Sequence, residues 1–268
     1  MSVVTIVRLE DAREESSFGG KATQLGEALR AGMPVPPGFA IAWDAVDAAK
    51  VDRAALGAVF DALGGLVAVR SSAIGEDSAA ASFAGQHATV LGVRSLDGVV
   101  AAIEEVVDSA HTAAAIAYRH KLGLDVHPRM GVVIQELARA DVAGVLFTRN
   151  PLTRADERVI EATWGLGEAV VQGLVTPDRY RLARGGRVLE RAAGDKDLAI
   201  HWADGGGTEE VPVDDARVTA LCLDDAKLAA LEALAVRCEE RFGGTQDLEF
   251  AFVGARLVLL QRRAITRG

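Results

Sequence analysis

The sequence predicts an α+β fold in two lobes, on three observations. Helix-length amphipathic runs dominate the first half of the 268 residues and strand-length apolar runs the second. The two kinds mix without settling into regular strand–helix repeats. No low-complexity or linker-like tract divides the chain, so the lobes, placed at residues 1–134 and 135–268, are read as parts of a single unit spanning 1–268.

The elements follow in order. Residues 20–31 read as a helix with Ala22, Leu25, Ala28 and Leu29 on one face and Gly32 as a stop. Met33-Pro34-Val35-Pro36-Pro37-Gly38 is a stiff connector into a short strand at 39–41, and 44–63 read as helical. A buried strand at 66–69 ends on the charge of Arg70 and hands over to a small-residue loop, 71–82. Phe83-Ala84-Gly85-Gln86 and a second apolar run come next, then one long Ala-rich helix over 96–121. The apolar runs 130–135, 142–148 and 158–163 have strand length, and Gly165-Leu166-Gly167 opens a short helix over 168–172. Short strands punctuated by Gly185-Gly186 and Gly205-Gly206-Gly207 fill 178–213. An amphipathic helix over 224–241 turns Leu228, Leu231, Leu234, Ala235 and Cys238 inward, and a hairpin over 247–264 closes the pattern.

Composition narrows the function. Hydrophobic residues make up 50% and charged residues 25%, a globular balance. The net charge of −9 argues against a broad electrostatic grip on nucleic acid or an anionic membrane, while leaving room for a small basic pocket. No apolar run approaches the ~18 residues of a membrane span. Glu10, Asp11, Glu14 and Glu15 stand where a secretory signal would be basic and then apolar. Cys222 and Cys238 have no His nearby and no zinc spacing, so they read as buried or free thiols. The expectation is a cytoplasmic protein.

Three segments carry chemistry. A buried guanidinium such as that of Arg70 needs an anion, and a phosphate suits its planar fork. The following loop could close its amides round phosphates; the plain alternative is a surface loop with Arg70 paired to Glu76 or Asp77. Phe18-Gly19-Gly20-Lys21 places a lysine at a helix start after two glycines, a phosphate site by helix-terminus logic or else a solvated lysine; Glu15 stands where a P-loop would need its first glycine. Asp247 and Glu249 on one strand of the terminal hairpin, with Gln261 on the other, offer hard oxygen ligands for Mg²⁺, and Arg263 a phosphate contact; the alternative is a solvated sheet face. Gly165-Leu166-Gly167 lacks the third glycine of a dinucleotide motif, having Val170 there, and reads as a tight turn, as do Gly206-Gly207-Thr208 and Gly243-Gly244-Thr245.

The ordered set GGKATQLGEAL, GMPVPPGFAI, VAVRSSAIGEDSAAASFAGQHATVL, VIQEL, AGVLFTRNPLT, EATWGLGEAVVQGLVTPDRY and QDLEFAF…LVLLQRRAIT resembles the ATP-binding domain of the phosphoenolpyruvate synthase, pyruvate phosphate dikinase and rifampicin phosphotransferase family, nearly end to end. The resemblance implies an ATP-grasp-like fold with ATP and Mg²⁺ held between two lobes. It implies that Lys21 and Arg70 touch phosphates and that Gly85 and Thr89 belong to the loop over the nucleotide. By the same likeness Gln135, Glu136 and Leu137 line the adenine hinge, Glu249 and Gln261 ligate the metal with Asp247 beside it, and Arg263 faces the triphosphate; Lys21, Arg70 and Arg263 would be the catalytic cations.

Two departures shape the functional expectation. The family's mobile domain with its phosphorylatable histidine is not recognised before Gly268, and the stretch between Ile41 and Val67 is short for the family. The resulting expectation is an ATP-binding catalytic component of a dikinase-type phosphotransferase. Its histidine would sit on a separate chain, a small molecule would be the final acceptor, and AMP and phosphate would be the products. The alternatives are a self-contained small-molecule kinase and a non-catalytic nucleotide-binding module.

The hairpin register decides whether the metal ligands can meet. A two-residue turn at Gly254-Ala255 pairs Val253 with Arg256 and sends Glu249 and Gln261 to opposite faces. A three-residue loop, 254–256, pairs Val253 with Leu257 and sets Glu249 opposite Gln261 and Asp247 opposite Arg263. It also gathers Leu248, Phe250, Phe252, Val258 and Leu260 on the other face. The expectation is that second register, or a bulge of the same parity.

Overall fold

The computed structural model describes residues 6–47, 52–75, 88–121 and 129–265 and is α+β throughout. Gly85 lies outside the described residues, while Thr89, expected in the same loop over the nucleotide, is the first residue of the strand Thr89–Val93. The chain divides into two compact units. Unit 1 holds residues 1–32, 36–137 and 203–207; unit 2 holds 33–35, 138–202 and 208–268.

Unit 1 is built on a five-stranded antiparallel sheet in the order β1-β2-β5-β3-β4: β1 Ile6–Arg8, β2 Gly38–Ile41, β3 Val67–Ala73, β4 Thr89–Val93 and β5 Met130–Glu136. The middle strands β3 and β5 are almost wholly buried, and so read as continuous apolar runs. The helices are α1 Glu15–Phe18, α2 Gly20–Arg30, α3 Arg53–Ala62, α4 Leu96–Asp108 and α5 Ala113–Lys121. Helix α4 begins where the Ser95 hydroxyl accepts from Gly98 N, and it buries Val99, Ala102, Ile103 and Val106 at helical spacing.

Three expectations are corrected here. The strand does not end on Arg70; it runs through Ser71, Ser72 and Ala73, which pair with Val132, Gly131 and Met130 of β5. The helix expected over 96–121 breaks at Ser109–His111, a 3₁₀ turn. There the Ser109 hydroxyl donates to Val106 O and accepts from Ala88 N, and Thr112 caps the next helix, the competition with helical bonding that hydroxyl residues bring. Within the run 44–63 the described residues form a 3₁₀ turn at Trp43–Ala45, helical Val46 and Asp47, and helix α3 starting afresh after its cap Asp52.

Unit 2 is a six-stranded antiparallel sheet, β13-β12-β6-β7-β8-β9, with a separate pair β10–β11. The strands are β6 Val142–Phe147, β7 Glu157–Trp164, β8 Asp178–Ala183, β9 Val188–Ala192, β10 Leu198–Trp202, β11 Thr208–Pro212, β12 Thr245–Val253 and β13 Arg256–Ile265; the helices are α6 Glu168–Val171, α7 Asp215–Val218 and α8 Asp225–Phe242. The inward face of α8, with Leu228, Leu231, Leu234, Ala235 and Cys238, packs on one side of this sheet, where Leu248, Phe250 and Phe252 alternate along β12 and the two phenylalanines meet edge to face.

That side also buries charge. Arg158 of β7, fully buried, donates to Glu232 Oε2 (2.8 Å), to Glu239 Oε1 (2.9 Å) and to Thr148 O (2.7 Å), which pins α8 to the sheet. Asp178 and Lys196, both fully buried, form an ion pair at 2.5 Å. The Asp178 carboxylate also accepts from Gly194 N and Cys222 N, so both of its oxygens are used. Both cysteines are buried free thiols, as expected, and burial pushes Cys238 up to about 11.

Candidate functional site

In unit 1 the expected phosphate residues gather round β3. Gly19 has φ +81°, and a Cβ there would lie 1.9 Å from Ser72 O, so only glycine lets the turn sit against the strand. The turn seats the start of α2: the Ser72 hydroxyl accepts from Ala22 N at 3.0 Å, and Lys21 donates from Nζ to Ser71 O at 2.9 Å. Lys21 is thereby buried and held beside the peptide that follows Arg70, itself only 8% exposed. Arg70 and Ser72 share a face of β3, and Thr89 of β4 lies directly opposite Arg70. Lys21, Arg70 and Thr89 are thus brought together round the middle of β3. Ser71 and Ser72, expected at the start of a phosphate loop, are instead strand residues that seat α2, Ser71 through its carbonyl and Ser72 through its hydroxyl.

The expected adenine residues end β5. Gln135 is buried, and its side-chain amide donates to Pro36 O at 3.0 Å. Glu136 N donates to Pro37 O, and Leu137 N to Leu66 O. The backbone N–H groups of Glu136 and Leu137 are therefore engaged, and the Gln135 amide anchors the proline connector.

In unit 2 the hairpin turn is the two-residue Gly254-Ala255, with Val253 opposite Arg256, which corrects the expected three-residue loop. Gly254 at φ +61° supplies the left-handed first position that such turns need. The expected parity is nonetheless reached through a bulge between Glu249 and Phe250. Below it Glu249 pairs with Gln261 and Asp247 with Arg263, while above it Phe250 pairs with Leu259. Leu257 and Leu259, rather than Val258 and Leu260, therefore join Leu248, Phe250 and Phe252 on the α8 side. Asp247, Glu249, Gln261 and Arg263 share the side away from α8.

With its amide oxygen turned toward Arg263, Gln261 accepts from Nη2 and Nε at 2.5 Å each. The Glu249 carboxylate is half-buried. Among the described residues no cluster of three or more His, Cys, Asp or Glu has metal-site geometry. The Gln261 oxygen is held by Arg263 here and becomes available once Arg263 turns to a phosphate; with it, Glu249 and neighbouring Asp247 give an oxygen set that suits Mg²⁺, which keeps several waters and takes only one or two carboxylates. The residues present fit that ion.

The glycine motifs resolve into turns. A Cβ on Gly165 would meet Ile200 O at 2.4 Å, and Leu166 N donates to the same carbonyl. Burial holds the neighbouring Glu168 carboxyl above its ordinary range, moderated by a hydrogen bond to Thr208. Gly206-Gly207 closes the β10–β11 pair, and Gly243-Gly244 links α8 to β12.

Sequence comparison supplies the family. Residues 52–268 match the family described as pyruvate phosphate dikinase, AMP/ATP-binding domain, and the chain belongs to it. A probable phosphoenolpyruvate synthase of Methanothermobacter thermautotrophicus is 34% identical over 92% of this chain and 44% of its own length. One from Methanocaldococcus jannaschii is 31% identical over 92% of this chain and 25% of its own. A rifampicin phosphotransferase of Streptomyces sviceus is 39% identical over 74% of this chain and 23% of its own. The chain thus spans less than half the length of these relatives. Among solved structures, an ATP complex of D-alanine–D-alanine ligase from Bacillus anthracis aligns over 96% of this chain and 58% of its own at 8% identity and a TM-score of 0.39, too loose a superposition to bear on the assignment. No described helix is long and apolar enough to cross a membrane.

Proposed function

We propose that this chain is the ATP-binding catalytic component of a dikinase-type phosphotransferase with an ATP-grasp-like fold. The observation that carries the proposal is the bulged hairpin, which puts Glu249 and Gln261 opposite each other on the side of the sheet away from α8, in a chain of an AMP/ATP-binding family. Lys21 and Arg70, with Arg263, neutralise the phosphates and hold them for transfer. Gly85 belongs to the loop over the nucleotide, and Thr89 follows at the start of β4, opposite Arg70. The Gln135–Leu137 strand end takes the adenine, and since the Glu136 and Leu137 N–H groups are engaged, carbonyl oxygens are what it offers the base. Glu249 and Gln261, with Asp247, would hold Mg²⁺, which when bound supplies charge neutralisation at the transferring group.

The products are AMP and phosphate. The transferred phosphoryl group passes through a phosphohistidine on a separate chain to a small acceptor, in the cytoplasm. Incubation with Mg²⁺ and ATP labelled at the β- or γ-phosphorus, with and without a histidine-domain protein of the same family, tests this. Label from the β-position on the histidine, with AMP released only when the partner is present, is the expected result. Rapid AMP release by the chain alone contradicts the separate acceptor; ADP with a phosphorylated small molecule indicates a self-contained kinase; binding without turnover indicates a non-catalytic module.

A further inference from the structure

The side of the six-stranded sheet that carries Glu249 has a second polar group, two strands wide. Across the ladder Glu249 pairs with Val145, Val145 with Glu161, and Glu161 with Arg179; one step along, Ala251 pairs with Ala143 and Ala143 with Thr163. Directly opposite residues share a face, so Glu161, Thr163 and Arg179 lie on the side of Glu249 and Gln261. At ~4.8 Å per strand, Glu161 is roughly 10 Å from Glu249 and Arg179 roughly 14 Å. They lie too far from the hairpin to belong to its ligand set.

Two of the three carry a buried polar atom without a hydrogen-bond partner among the described residues. Thr163 is fully buried, and its hydroxyl has no hydrogen-bond partner among the described residues. Burying a hydroxyl without a partner costs free energy that a ligand would recover. The Arg179 Nε is buried and likewise without a partner among the described residues. The next arginine on the same strand and face shows what the local geometry allows. Arg181 forks onto Glu157 at 3.0 and 2.8 Å and reaches Glu190 at 2.9 Å. Among the described residues Arg179 makes no such ion pair, although Glu161 stands opposite it at a cross-strand Cβ separation of about 5 Å.

We propose that Arg179, Thr163 and Glu161 form an oxyanion subsite that takes a protonated phosphate group, separate from the nucleotide's own contacts. The guanidinium and the hydroxyl donate to phosphate oxygens. The Glu161 carboxylate can face such a ligand only if a proton lies between them, so it accepts from a P–OH. Sulfate, which carries no proton at neutral pH, would meet the carboxylate lone pair to lone pair. The subsite therefore selects hydrogen phosphate over sulfate. It rests on the ATP reading for its role, which is to hold the released phosphate or a phosphorylated acceptor beside the transfer site.

Calorimetric titration of inorganic phosphate, phenyl phosphate, sulfate and Mg²⁺–ATP into the wild type, Arg179→Gln and Glu161→Gln tests the assignment. Wild type should bind phosphate about tenfold or more tighter than sulfate, and Arg179→Gln should lose about tenfold for phosphate. Glu161→Gln should nearly abolish the discrimination, while both variants keep wild-type affinity for Mg²⁺–ATP. Phenyl phosphate binding as well as phosphate supports a phosphorylated acceptor as the occupant, and its exclusion supports free phosphate. Equal binding of phosphate and sulfate by wild type, or unchanged phosphate binding by Arg179→Gln, overturns the subsite. Failure of wild type to bind Mg²⁺–ATP while phosphate selectivity persists overturns the proposed function and leaves the subsite standing.

Discussion

Replacing Gly19 by Ala should be among the most damaging single changes in unit 1, and a matched control isolates the reason. Gly19 lies at φ +81°, ψ 170°, and Gly243 lies at φ 71°, ψ 167°, so an alanine pays nearly the same backbone strain at either position. That strain is of order 1–3 kcal/mol. The surroundings differ. A Cβ on Gly243 meets nothing within 4 Å, whereas one on Gly19 would stand 1.9 Å from Ser72 O and 2.4 Å from Ser72 C. Both obstacles are backbone atoms of a buried strand, so the turn must lift off β3 by about an ångström. Overpacking of that kind adds about 1–3 kcal/mol. Guanidinium denaturation followed by far-UV circular dichroism should therefore place Gly19→Ala about 1–3 kcal/mol below Gly243→Ala. Lifting the turn also breaks the Ala22 N to Ser72 and Lys21 to Ser71 bonds, so Gly19→Ala should lose Mg²⁺–ATP affinity where Gly243→Ala does not. Equal destabilisation by the two variants would refute the seating of the glycine turn on Ser71-Ser72.

Lys196→Met should cost about 3–5 kcal/mol, because it strands the buried Asp178 carboxylate, and adding Asp178→Asn should recover part of the loss; urea melts of the two variants check this. Hydrogen bonds from Arg181 and then Asn150 hold the Glu157 carboxyl below its ordinary 4.5. The stability they contribute is full above that value and falls as pH drops through the lowered folded value, so Glu157→Gln should flatten the acid limb of the stability–pH curve. An unchanged limb would exclude Glu157 as a source of it. Gln261→Leu should abolish Mg²⁺-dependent enhancement of ATP binding and leave the melting temperature of the protein without ligand close to wild type, read by thermal shift with and without the metal.

The local patterns were legible in the sequence. Alternation along Asp247-Leu248-Glu249-Phe250 sorts one face from the other, and requiring Glu249 and Gln261 to meet fixes the parity of the hairpin. What the sequence could not place is where the extra residue goes: Gly254 supports the short turn, and the irregularity moves to a bulge at Leu260, the fifth residue of β13 from the turn side, a choice made by the paired strand and its neighbours. Arg70 was legible as a buried charge, but the strand's continuation through Ser71-Ser72-Ala73 depends on pairing with β5, about sixty residues away in sequence. Long-range ties left no local signal at all. Arg158 finds Glu232 across 74 positions, and the Glu161–Arg179 pairing emerges only when the sheet order is known.

The proposed roles to test are those of Lys21 and Arg70 in binding the phosphates of ATP and of Glu249 in holding Mg²⁺. Isothermal calorimetry of ATP with and without Mg²⁺, on wild type, Lys21→Ala, Arg70→Ala and Glu249→Gln, measures them directly. Wild type should bind ATP more tightly with Mg²⁺. Lys21→Ala and Arg70→Ala should each lose about tenfold or more in affinity whether or not Mg²⁺ is present, and Glu249→Gln should lose only the Mg²⁺-dependent part. Wild-type affinity in Arg70→Ala, or an undiminished Mg²⁺ effect in Glu249→Gln, would contradict the account.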